Sequence, residues 1–172
     1  RLPAGDPPPL PAVEPLLADK PQHRVPRAPG TQPDPKHGFK VQVPELLFNF
    51  GELHNLGIGR GTLTEEERYK INEHIIQTIA MLEQLPLPAN LKRVPEYAGT
   101  HHETLIGTGY PRQLTAEQLS VPSRIMAIAD VFEALTAQDR PYKRGLTLSE
   151  AMQIMGRMKA DNHLDPELAS LV

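Results

Sequence analysis

Neither cysteine nor tryptophan occurs in the chain. Without cysteine there are no disulfides and no thiolate metal sites, so a metal would have to take histidine nitrogen or carboxylate oxygen. The absence also fits a reducing compartment, and a cytoplasmic setting is expected. No charge of one sign dominates. The 18 Lys and Arg residues face 21 Asp and Glu, a net charge of -3 with histidine neutral. There is thus no global basic field to draw DNA or RNA, and an anionic ligand would need a local basic cluster. No apolar run approaches the roughly 20 residues that cross a bilayer. No membrane segment is expected in this chain, with any sensor or membrane region placed upstream of it. The first residue is Arg1 rather than methionine and no signal-like segment follows, which reads as a piece of something longer.

Proline, by contrast, is plentiful and unevenly placed. Twelve of the 19 prolines lie within residues 1–44. Proline lacks an amide donor and fixes φ, so this stretch cannot build a long helix or a central strand. Residues 1–42 read as a largely disordered linker, insertion or wrapping arm, and 43–172 as the folded part. From Val43 the composition turns apolar, and PELLFNFGELHNLGIG suits a short helix or turn. Thr64 and Glu67 form a capping box, and the helix they open carries Ile71, Ile75, Ile79, Leu82 and Leu85 on one face. LPLP at 85–88 stops it. Further helices are expected over about 89–102, over VPSRIMAIADVFEALTAQ behind Ser120, and over SEAMQIMGRMKA behind the Thr147/Glu150 capping box. A last short one follows Asp165-Pro166. Nothing alternates with period two for long. The fold class expected is all-α, a bundle of about five helices.

Three of the seven histidines stand in places that suggest chemistry. His74 falls about 60° from Ile71 on a helical wheel, at the edge of the apolar stripe. His101 and His102 are consecutive and run into the glycine-containing loop HHETLIGTGYPR. Each has a plain alternative: a satisfied, partly buried side chain, or a helix end that happens to carry histidine. Asp130 tilts the balance. IMAIADVFEAL is apolar almost all round, as in a helix buried on most sides, and a carboxylate there costs several kcal/mol unless paired or coordinated. Its alternative partner would be Arg124 or Arg140. Three imidazoles and a carboxylate suit iron, manganese, zinc or a similar divalent ion. Beyond them, DRPYKR offers Arg140, Lys143 and Arg144 around Tyr142. This is either a phosphate clamp with a stacking ring or a solvated helix end.

Taken in order, LTEEERYKINEHIIQTIAMLEQL, HHETLIGTGYPRQL, VPSRIMAIADVFEALTAQDRPYKRG and HLDPEL resemble the HD-GYP family of bacterial metal-dependent phosphohydrolases. The resemblance implies a helical HD-domain fold around two or three ions, iron or manganese foremost, and hydrolysis of cyclic di-GMP. By position His74, His101, His102 and Asp130 match metal ligands. Gly109, Tyr110 and Pro111 match the loop beside the nucleotide, and Arg140 and Lys143 match residues that hold its phosphates. A diguanylate cyclase-type signalling domain is an implied partner. The family's His-Asp pair is missing: no such dipeptide occurs in the chain, and HNLGIG at 54–59 carries asparagine in its place. Asparagine lacks the negative charge that bridging two ions requires. Ile106 stands where relatives carry aspartate. Two expectations follow. The chain is part of a cyclic di-GMP phosphodiesterase whose His-Asp motif lies upstream, and on its own it is inactive. Alternatively it is a catalytically incomplete module that binds the nucleotide or a partner domain.

Overall fold

A computed structural model describes residues 15–59, 61–138 and 145–171. Arg140 and Lys143, expected to hold phosphate, lie outside them. Two compact units divide the chain, Arg1–Gln32 with Gln42–Glu73, and Pro33–Val41 with His74–Val172. Among the described residues the fold is mostly helical: α1 (Glu52–Leu56), α2 (Glu65–Leu82), α3 (Val94–Gly99), α4 (Val121–Thr136) and α5 (Leu148–Ala160). None of these helices is long and apolar enough to cross a membrane.

In the first unit, β1 (Arg24–Pro26) pairs antiparallel with β2 (Leu46–Asn49), Val25 opposite Phe48. PELLFNFGELHNLGIG, expected as a short helix or turn, supplies β2 from its first part and the short helix α1 from its second. Pro26 closes β1 where no further ladder amide is needed, as prolines do in edge strands. The proline-rich stretch is therefore structured where it is described, with short 3-10 turns at Pro21–His23 and Pro35–His37 besides β1. The expected capping box of α2 is present: Thr64 N–H donates to Glu67 Oε2 (2.9 Å) and Glu67 N–H to Thr64 Oγ1 (3.2 Å). His54 lies in α1, 3.8 Å from Glu66.

The second unit holds the larger core. Ala127 and Ile128 of α4 pack with Met155 of α5 and Leu164, and Val131, Phe132, Leu135 and Met152 surround them. On α2, Ile75 and Ile79 are fully buried as the helical spacing predicts, whereas Ile71 and Leu85 stand about half exposed. The expected helix over 89–102 breaks in two, a 3-10 turn at Ala89–Leu91 and then α3. Pro95 sits in the first turn of α3, where its missing amide has no helical partner to lose, so the helix starts there rather than running through. α4 corrects the expectation of all-round burial. Ser123, Ala127 and Ile128 are buried, but Val121, Ile125 and Met126 are 44–53% exposed.

Candidate metal centre

His74 projects from α2, held in place by the buried Ile75 beside it. His101 and His102 come from the turn that follows α3, not from the helix itself. The end of α3 lies directly on α2: a Cβ at Gly99 would come within 2.6 Å of Ile79 Cγ1. Only glycine permits that approach, and it delivers the histidine pair to His74. Ligand atoms of His74, His101 and His102 all lie within 4.8 Å of one another. Asp130 arrives from α4, with Oδ2 3.5 Å from His102 Nδ1. The structure thus brings the three histidines together and sets Asp130 against the Nδ1 side of His102. Asp130 gets there without deep burial, its side chain being 37% exposed. Arg124, considered as its alternative partner, is bonded instead to Asp165 at 3.0 Å.

The proton positions suit coordination. His101 Nδ1 lies 2.7 Å from the Ala98 carbonyl. A carbonyl only accepts, so Nδ1 carries the hydrogen and Nε2 the lone pair; such an outer hydrogen bond fixes a ligand's tautomer. His102 Nε2 is 3.1 Å from His74 Nε2. Burial first, and then the neighbouring His101, push the His102 pKa down to about 4 despite the opposing pull of Asp130. His102 is therefore a neutral ring beside a carboxylate at pH 7, with a lone pair to give. Three imidazoles and a carboxylate oxygen fit a divalent transition ion and do not resemble the all-oxygen sets of calcium or magnesium.

The loop after His102 is folded back on the site. Tyr110 stacks on the His102 ring at 4.8 Å and 24°, and its N–H donates to the His102 carbonyl at 3.2 Å. Gly109 permits this, because a Cβ there would lie 2.4–2.6 Å from backbone atoms of residues 102–104. Burial and the nearby Asp130 charge push the Tyr110 phenol up to about 12, so it stays a neutral donor. The peptide bond Tyr110-Pro111 is cis, and Pro111 is fully buried. Ile106, half exposed, bridges to Thr115 across the loop.

Nothing in the sequence pattern assigns Glu103 a role. It is 4% exposed and accepts the amides of Arg112 (2.7 Å) and Leu114 (2.9 Å). Burial nevertheless raises its pKa above the usual carboxylate value. His37 and Arg112 were also missed. His37 sits in a segment read as linker, and its side chain is only 7% exposed against Glu83. Nothing local in the sequence says where that segment docks.

A helical unit that brings three histidines together, with an aspartate beside one of them and a tyrosine stacked on the same ring, has the donor set of a divalent-metal centre. Comparison with known proteins narrows it. The HD domain family matches residues 11–168. The chain is 35% identical over 144 residues to the 3'3'-cGAMP-specific phosphodiesterase 1 of Vibrio cholerae, covering 78% of this chain and 32% of that protein. It is 44% identical over 129 residues to a cyclic di-GMP phosphodiesterase of Pseudomonas aeruginosa (75% and 28%). A third relative, a cyclic di-GMP phosphodiesterase of Thermotoga maritima, is 37% identical over 123 residues (66% and 33%). The chain spans a third or less of the length of these curated relatives. The chain belongs to the HD domain family.

Proposed function

We propose that this chain is part of a bacterial cytoplasmic phosphodiesterase that hydrolyses a cyclic dinucleotide, cyclic di-GMP or 3'3'-cGAMP. The observation that carries the reading is the convergence of His74, His101 and His102 with Asp130 beside them. These four residues would hold divalent ions, iron or manganese. The chemistry such ions supply is Lewis-acid stabilisation of phosphoryl charge and acidification of water. Gly109 and Pro111 shape the loop, and Tyr110 offers its ring to a base and a neutral hydroxyl as donor. Arg140 and Lys143 neutralise the phosphates. Water adds to phosphorus, one ester P–O bond breaks, and the ring opens to a linear dinucleotide. The substrates named for the relatives support this choice.

The test uses the full-length protein, purified anaerobically, with metal content measured and cyclic di-GMP and 3'3'-cGAMP as substrates. Linear product is expected, with a loss of at least about a hundredfold in the His101→Ala variant. A second reading, a module that binds the nucleotide or a diguanylate cyclase-type domain without hydrolysis, is favoured by the lack of a His-Asp dipeptide. Binding without product from metal-replete protein, weakened in Arg140→Ala, selects that reading. Neither binding nor product defeats both.

A further inference from the structure

Residues 34–40, DPKHGFK, contribute nothing to the ligand set, yet they are fastened to the loop that covers it. Their own chemistry makes them a compact turn. Asp34 Oδ1 accepts the Lys36 amide at 3.0 Å, Pro35 opens a 3-10 turn, and Gly38 closes it at φ 65°, a left-handed conformation suited to glycine. From this turn the Lys40 amide donates to the Pro111 carbonyl at 2.7 Å. Arg112 Nε donates to the His37 carbonyl at 2.8 Å, and its NH2 lies 3.3 Å from Glu83 Oε1. Glu83 Oε2 in turn lies 2.9 Å from His37 Nδ1. Phe39 stacks on His37 at 5.2 Å and lies under the Arg112 guanidinium at 5.6 Å.

Glu103 in turn holds the Arg112 and Leu114 amides. The loop is thus gripped twice, by the residue next to His102 and by the turn. Tyr110, stacked on His102, immediately precedes the gripped residues 111–114. We propose that residues 34–40 are a positioning strap and that Arg112 fastens it, together setting the Tyr110–His102 stack. The arginine fork suits this role because it meets a carbonyl and a carboxylate at once, which a lysine ammonium on a flexible stem cannot reproduce with the same geometry. The inference concerns the geometry of the site and stands whether or not hydrolysis occurs there.

Amide hydrogen exchange and ring-to-ring NOEs, measured by NMR on the 172-residue chain, test it with the Arg112→Lys and Glu83→Gln variants. In Arg112→Lys the Lys40, Tyr110 and Leu114 amides should exchange about tenfold faster, and the Tyr110–His102 NOE should weaken. Amides of α4 and α5 should keep their parental rates. Glu83→Gln, altering a half-exposed side chain, should move the same amides less. Unchanged loop amides and NOE in both variants overturn the strap. So does acceleration spread evenly through α4 and α5, which a general loss of stability produces. Mn2+ titration of the parent is run in parallel: failure to bind removes the metal reading and leaves the strap result standing.

Discussion

Asp165 shows how one side chain can fasten a whole corner of the second unit. Its Oδ1 accepts the amides of Glu167 (3.0 Å) and Leu168 (3.1 Å), and its Oδ2 receives Arg124 from α4. The sequence reading makes it a helix cap; in the fold it holds the turn that leads into a 3-10 helix, Leu168–Ser170, whose N-cap is Glu167. Burial alone would raise its pKa, but the Leu168 amide, Arg124 and the Glu167 amide together hold it below the ordinary carboxylate value. A folded pKa below the unfolded one means the stabilisation is complete above the unfolded value, about 3.9. It is lost as pH falls through the folded value. Asp165→Asn should therefore cost about 1–3 kcal/mol at pH 7 in urea unfolding. Its stability should also fall less steeply than the parent's below pH 4. An equal slope in both proteins would mean that Asp165 is not the titrating group.

The helix α4 carries a different lesson. Its stretch IMAIADVFEAL is apolar at nearly every position, and burial on most sides is what that pattern predicts. The fold buries only the stripe through Ser123, Ala127 and Ile128 and leaves Ile125 and Met126 about half in water. Hydrophobicity states which residues tolerate burial, while the number of neighbours available to cover them is set by the rest of the chain. The two isoleucines separate the cases. Ile128→Ala should cost about 2–5 kcal/mol through lost contacts and a cavity. Ile125→Gln should stay within about 0.5 kcal/mol. Chemical denaturation of both variants checks the contrast, and comparable losses would mean that α4 is covered on both faces.

Across the molecule, the ligand set is assembled from segments far apart in sequence: α2, the turn after α3, and α4. An ion bound by all of them stabilises only the folded arrangement. At a hundred times the dissociation constant the gain is about 2.7 kcal/mol, which raises the melting temperature by roughly 5–10 °C in a chain of this size. Mn2+ should produce that rise, EDTA should reverse it, and His101→Ala should abolish it. Thr147→Ala, which removes only the α5 cap, should lower the melting temperature yet keep the Mn2+ response. An Mn2+ response surviving in His101→Ala would remove that histidine from the ligand set.

Helix caps and periodic faces were legible in the sequence because they depend on neighbours within one turn. Thr64 with Glu67 and Thr147 with Glu150 close their boxes as written, and Ile75 and Ile79 are buried as their spacing requires. The four candidate ligands could be named from residue type and order. Their meeting was another matter, since it rests on Gly99 letting α3 touch Ile79. Contacts between distant segments leave no periodic trace. His37 therefore passed for a linker residue until the fold set it against Glu83, and Asp130 was credited with a burial that the packing of α4 withholds. Local hydrogen bonds and side-chain period are properties of the chain; which faces meet, and which stay in water, is decided only when all the elements compete for the same space.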